Sequence, residues 1–167
     1  MLTRQWRGTV RPMSTSVSSP GPQDPHFEKR VHESFARQSV MATLGATLFR
    51  VAPGEVDIAL PFRADLAQQH GFVHAGILAT ILDSACGYAA FSLMPADAAV
   101  LSIEFKINLL SPAAGEQFIA RGRVLRSGRT ISVCQADGFA ITGGAEKLVA
   151  TMVGTMMCVR DNPALRG

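Results

Sequence analysis

From His74 to Met94 the chain carries one ionisable carboxylate, Asp83, set among Ile77, Leu78, Ile81, Leu82, Ala85, Cys86 and Phe91. A helix drawn through this run has apolar residues on every face, and such a helix belongs in the middle of a fold. The run is long enough in principle to cross a bilayer, but Asp83, His74 and the Gly, Ser and Thr content point to a soluble core helix and to no membrane association. A carboxylate among aliphatic side chains resists ionisation, which raises its pKa and suits it to act as a base or nucleophile near neutral pH. The competing reading is a core Asp bonded to a neighbouring strand. The helix opens at Val73-His74-Ala75-Gly76, where small residues leave the first backbone N–H groups accessible at the positive end of the dipole. That terminus can hold an oxyanion.

Asp83 follows His74 by nine residues, roughly 13 Å along the axis and about half a turn round. One chain therefore cannot aim both at one carbonyl. Two antiparallel copies of the helix across a two-fold axis would place Asp83 of one beside the His74 end of the other. Small residues at Ala79, Ala85, Gly87, Ala89 and Ala90 would allow that approach, and isologous dimers are the commonest assembly.

A chain of 167 residues fits one domain. With 47% hydrophobic and 17% charged residues, much surface must be buried, partly between subunits. A net charge of +3, scattered and without an aromatic-interleaved basic stripe, does not suit nucleic acid. Cys86, Cys134 and Cys158 are far apart in apolar runs and read as core thiols of a reducing compartment rather than as disulfides or zinc ligands. His70 and His74 are four apart, but Gly71 lies between them and no HExxH carboxylate accompanies them, so no metal site is expected.

Residues 1–23 read as a leader. Arg4, Arg7 and Arg11 with several Ser and Pro, but no apolar core, argue against secretion. The stretch reads as a disordered tail or as sequence upstream of a start at Met13, with a cytoplasmic location; a mitochondrial transit peptide is the alternative. The folded domain is expected over 24–160 and a short tail over 161–167. Asp24-Pro25 predicts a helix start, with Phe27, Val31 and Phe35 at helical spacing to about residue 38. Strands follow from Leu44, through a Pro53-Gly54 turn, to Leu60. Residues 62–73 form a loop into the central helix, which stops near Pro95. Next, Leu101, Ile103, Phe105, Ile107 and Leu109 alternate with Ser102, Glu104, Lys106 and Asn108, so one face must be buried and the other wet. Strands over 118–125, 130–141 and 148–159 are joined by Ser127-Gly128 and Gly143-Gly144. Short turns between sequential strands give an antiparallel sheet whose concave face only the long helix is apolar enough to fill.

This order of elements, with HGFVHAGILATILDSACGYAA, LSIEFKINLLSPA and RSGRTISV, resembles the hotdog-fold acyl-CoA thioesterases of the phenylacetate-degradation (PaaI) type over about residues 25–159. The resemblance implies an α+β hotdog fold, a long central helix wrapped by a curved antiparallel sheet, hydrolysing acyl-CoA without a cofactor. It gives Asp83 the role of activating water or attacking the thioester. The N–H of Ala75, with Gly76 beside it, would hold the oxyanion, and His74 would orient that loop. Gln68, where Asn is commoner, would bond the carbonyl or orient water, and Ser102 would position the water. The commoner His-Gly-Gly reads His-Ala-Gly here. Arg126 and Arg129, with Arg121, Arg123 and Lys106, are candidates for the coenzyme A phosphates. A homodimer is the implied minimal unit and a homotetramer the larger assembly. A non-catalytic acyl-CoA or lipid-binding protein, or a subunit serving mainly in assembly, are the alternatives. The acyl group, and the choice between coenzyme A and acyl-carrier-protein thioesters, stay open.

Overall fold

The computed structural model describes residues 21–162, 164 and 165. Most of the leader and part of the tail therefore lie outside the described residues. Helices α1 (Phe27–Arg37) and α2 (Ser39–Leu44) precede strands β1 (Thr47–Ala52) and β2 (Glu55–Pro61). A 3-10 turn at Ala64–Leu66 leads to the central helix α3 (Ala75–Phe91). Four strands follow: β3 (Ala99–Leu109), β4 (Gln117–Ser127), β5 (Ile131–Thr142) and β6 (Ala145–Val159). All pair antiparallel in one sheet of order β1-β2-β4-β5-β6-β3. The helix α3 lies against β2 to β6. This is the α+β hotdog arrangement, with the long helix in the curve of the sheet.

Small side chains let the helix settle there. On β5, Cys134, Ala136, Gly138 and Ala140 alternate inward, beside Ala120 and Gly122 on β4. From the helix, Ala85, Ala89 and Ala90 are almost wholly buried within the single chain. Three of the small residues expected to serve a helix–helix contact between subunits are thus used up inside one chain. The seam is tightest at Gly122, where an added Cβ would run into the Ala85 carbonyl. Gly122→Ala must push the helix off the sheet and is expected to cost about 1–3 kcal/mol. A fall in Tm of several degrees by calorimetry checks this.

Arg30 fastens α1 to the other end of α3. Its guanidinium donates to the carbonyls of Phe91 (3.1 Å), Met94 (2.7 Å) and Pro95. These carbonyls lie at and just beyond the C-terminal end of α3, where the negative end of the helix dipole attracts a cation; those of Phe91 and Pro95 also accept from the Met94 and Ala98 N–H groups. The same group stacks 4.2 Å from the centre of the Phe91 ring and pairs with Asp24 at 3.1 Å.

Three expectations need correction. Asp24 does not cap α1: the N-cap is His26, and the Asp24 carboxylate instead accepts from the His26 N–H and holds Arg30. The stretch around Leu44 is helix, closed by Gly45 in the left-handed region at φ 71°, and the strand begins only at Thr47. On β3 only Ile107 of the alternating apolar residues packs against the core of the chain. Leu101, Ile103, Phe105 and Leu109 are 44–54% exposed, on a strand that ends the sheet and has no partner on its far side among the described residues.

Candidate active site

Asp83 lies near the middle of α3, half-buried, and accepts a hydrogen bond from the Ser102 hydroxyl at 2.7 Å. A bulge in β3 between Ser102 and Glu104 breaks the regular register with β6 at this point. Burial pushes the Asp83 carboxyl above its ordinary value, and the Ser102 hydrogen bond offsets part of that rise. Both residues line a cleft of about 280 Å³ walled by Ser34 of α1 and Gln38 just after it, by α3 and by the start of β3. The sequence reading missed α1 as a wall. Its apolar stripe was visible, whereas Ser34 and Gln38, four apart beside that stripe, carried the only signal and resembled an ordinary wet flank.

The start of α3 is built as a separate unit. His74 is the N-cap, and its Nδ1 accepts from the Gly76 N–H at 2.9 Å, which places the ring proton of the neutral imidazole on Nε2. Its own N–H donates to Leu66 O at 3.0 Å, and its carbonyl accepts from Ile77 and Leu78. Within the first turn this leaves the Ala75 N–H with no hydrogen-bond partner among the described residues. Gln68 Oε1 accepts from the His70 N–H at 2.6 Å, across a turn in which Gly71 takes φ 82°. The Gln68 amide N–H₂ has no partner among the described residues and remains available as a donor. Ala75 and Gln68 line a second cleft, of about 430 Å³, with Leu109 and Leu110 at the end of β3.

The sequence-derived residues therefore fall into two groups. Asp83 and Ser102 meet in one cleft; Ala75 and Gln68 share the other, with His74 and Gly76 setting the turn between them. Within a chain the two are separated by about 12 Å of helix. Under the roles that the family resemblance implies, each group alone would supply half of a hydrolytic apparatus, a base without an oxyanion site or an oxyanion site without a base.

If Asp83 reacts as the carboxylate, activity must fall as pH drops through its raised pKa. The acid limb of kcat is then expected at a pH above the ordinary aspartate value of 3.8. A pH–rate profile with its half-maximum at or below that value would contradict the assignment.

Of the cations, Arg121 grips Glu146 through two bonds of 2.8 and 2.6 Å, and Arg123 pairs with Asp137 at 3.1 Å. These two arginines are committed to the sheet. Arg126 and Arg129 make no ion pair among the described residues. Cys134 is buried and its thiol is pushed up to about 12, and burial likewise raises Cys86 far above the ordinary thiol. Neither offers a thiolate nucleophile near neutral pH.

Residues 70–147 match the Thioesterase superfamily, and the chain belongs to that superfamily, a class of thioester hydrolases. A thioesterase family protein from Silicibacter pomeroyi, known from its crystal structure, is 52% identical. The match covers 80% of this chain and 98% of that one, with a TM-score of 0.79. A relative from Halobacterium salinarum, named an esterase on a provisional basis, is 33% identical over 131 residues, 74% of this chain and 86% of its own. The PaaI protein of the phenylacetic acid degradation operon of E. coli shares the fold. It is 21% identical, with a TM-score of 0.71 over 80% of this chain and 93% of its own. Among the described residues no helix is long and apolar enough to cross a membrane.

Proposed function

We propose that the protein is a PaaI-type thioesterase that hydrolyses acyl-CoA to free acid and coenzyme A in a site shared by two copies of the chain. The observation that carries this reading is the placement of the two half-sites at opposite ends of β3. Ser102 lines the Asp83 cleft and Leu109 lines the Ala75 cleft, some 24 Å apart along the strand. The strand between them is an unpaired edge with an exposed apolar face, the kind of edge that recruits another strand. Antiparallel pairing of two β3 edges brings the Ser102 end of one chain to the Leu109 end of the other. Each Asp83 then faces the partner's helix start.

In such a site Asp83 takes a proton from water while the water oxygen adds to the thioester carbon. Alternatively, the carboxylate oxygen adds directly, giving an anhydride that water then cleaves. In either course the carbonyl oxygen gains negative charge, and the Ala75 N–H and the Gln68 amide are the donors free to receive it. Collapse breaks the C–S bond, and the sulfur leaves and is protonated. Arg126 lies at the end of β4 and Arg129 within the β4–β5 turn. Ile131 beside that turn pairs with Met157, which pairs with Leu101 of the Asp83 cleft. The two arginines, without an ion pair among the described residues, thus lie towards the same end of the sheet as Leu101, and in this reading they meet the coenzyme A phosphates. A tetramer would arise from two such dimers.

The test is thiol release, read with DTNB, from acetyl-, hexanoyl-, decanoyl- and phenylacetyl-CoA and from an acyl-carrier-protein thioester. Turnover of at least one CoA thioester is expected. Tight binding without thiol release would replace the reading with a non-catalytic acyl-CoA-binding protein.

A further inference from the structure

Gly87 sits inside α3 for no reason that the fold supplies. Glycine is among the poorest residues for a helix interior. Two things ordinarily excuse it, a positive φ or a close neighbour. Gly87 has no positive φ, and a Cβ built on it meets nothing within 4 Å. The contrast with Gly122, where a Cβ collides with the helix backbone, is complete. The missing side chain at 87 faces open space, and that space is the Asp83 cleft, which Gly87 lines.

Asp83, Gly87 and Phe91 follow one another at four-residue intervals and so lie along one face of α3. They form a floor of about 12 Å from the carboxylate to the phenyl ring. Ser34 of α1 and Gln38 just after it wall one side, and Val100 and Leu101 of β3 line it as well. At the far end Phe91 is fully buried, with the Arg30 guanidinium stacked on it, which gives the cleft a fixed end wall.

We propose that Gly87 determines acyl-group size. The acyl portion of the substrate runs from Asp83 over Gly87 towards Phe91, and the absent side chain admits medium-chain or arylalkanoyl groups. This rests on the reading of Asp83 as the reacting carboxylate. Any side chain at 87 would stand across the path one turn beyond the reacting carbon. Short acyl groups would end before that turn and longer ones would meet it.

The experiment compares the parent with Gly87→Ala and Gly87→Val on CoA thioesters from acetyl through decanoyl, together with phenylacetyl-CoA. For Gly87→Val the ratio of kcat/KM for decanoyl over acetyl is expected to fall by about tenfold or more, the discrimination that a hydrophobic pocket can apply. Gly87→Ala should fall between the two and have a higher Tm than the parent, which shows that the loss is not unfolding. A uniform fall across the ladder, or no change, overturns the proposal. So does dissociation of the assembly by Gly87→Val on size exclusion, because Gly87 would then serve subunit packing. Calorimetric Kd values for the same thioesters are measured in parallel. If the parent turns over none of them, the hydrolytic function fails. Weaker binding of the longer thioesters alone by Gly87→Val would still support the cleft, and a Kd unchanged at every length would overturn it.

Discussion

Asp83→Asn is expected to lower kcat by about 10²-fold or more, the effect of losing a positioned base, while leaving the fold at least as stable as the parent. The amide keeps the size of the carboxyl and an oxygen to accept the 2.7 Å bond from Ser102. What it loses is the charge. Burial raises the folded pKa of Asp83 above its unfolded value, so the native chain holds the proton more tightly than the unfolded chain. Stability therefore falls as pH rises through the window between those two values, and stays lower above it. At neutral pH the parent carries that cost and the Asn variant does not. An unchanged or higher Tm, together with lost turnover, is the signature of a group kept for chemistry at some expense of stability. Near-parental kcat, with reversion of the amide to Asp excluded by mass spectrometry, would remove Asp83 from the mechanism.

The second large effect is a rescue. Asp83→Ala keeps an intact helix start, and Gly76→Val keeps an intact base. At Gly76 even a first carbon would come within 3.1 Å of His74 Nδ1, so a branched side chain must displace the ring that accepts the Gly76 N–H. Each variant alone should be nearly inactive. In a mixed dimer one site carries both lesions, and the other joins an intact Asp83 to an intact Ala75–Gly76 turn. Co-refolding should restore up to about a quarter of parental activity, since statistically half the dimers are mixed and each has one good site of two. Subunit exchange is verified with an affinity tag on one variant. Verified mixed dimers as inactive as either parent would place the whole site within one chain.

Much of this arrangement was legible because the relevant residues break a local pattern. Asp83 stands out as the one acid in an apolar helix, and His74-Ala75-Gly76 stands out as the opening of that helix. Both kinds of signal are local, and both sit where the reading put them. The β3 alternation was equally plain, but a period of two says only that one face is apolar, not that the same chain covers it. Whether Leu101 and Phe105 are buried depends on strand order, and strand order is set by pairings that no single segment displays. Asp24 misled for a related reason: an Asp before Pro suits a helix cap, yet Arg30, six residues on, claims its carboxylate. Gly87 and Gly122 look alike in sequence. One is required by a carbonyl pressing on it, whereas a Cβ at the other would meet nothing within 4 Å, a difference that exists only once α3 has been laid on the sheet.

The exposed edge of β3 has a consequence for how such a protein must live in solution. A lone chain ends its sheet in a row of unpaired backbone groups flanked by Leu101, Ile103, Phe105 and Leu109, and offers them to any strand that passes. If the two clefts complete each other along that edge, as proposed, a solitary chain is both idle and adhesive, and association repairs both faults at once. On that reading mass action governs catalysis, and turnover per chain is expected to decline on dilution. The edge of β3, and not only affinity for substrate, would then set the concentration at which the protein works.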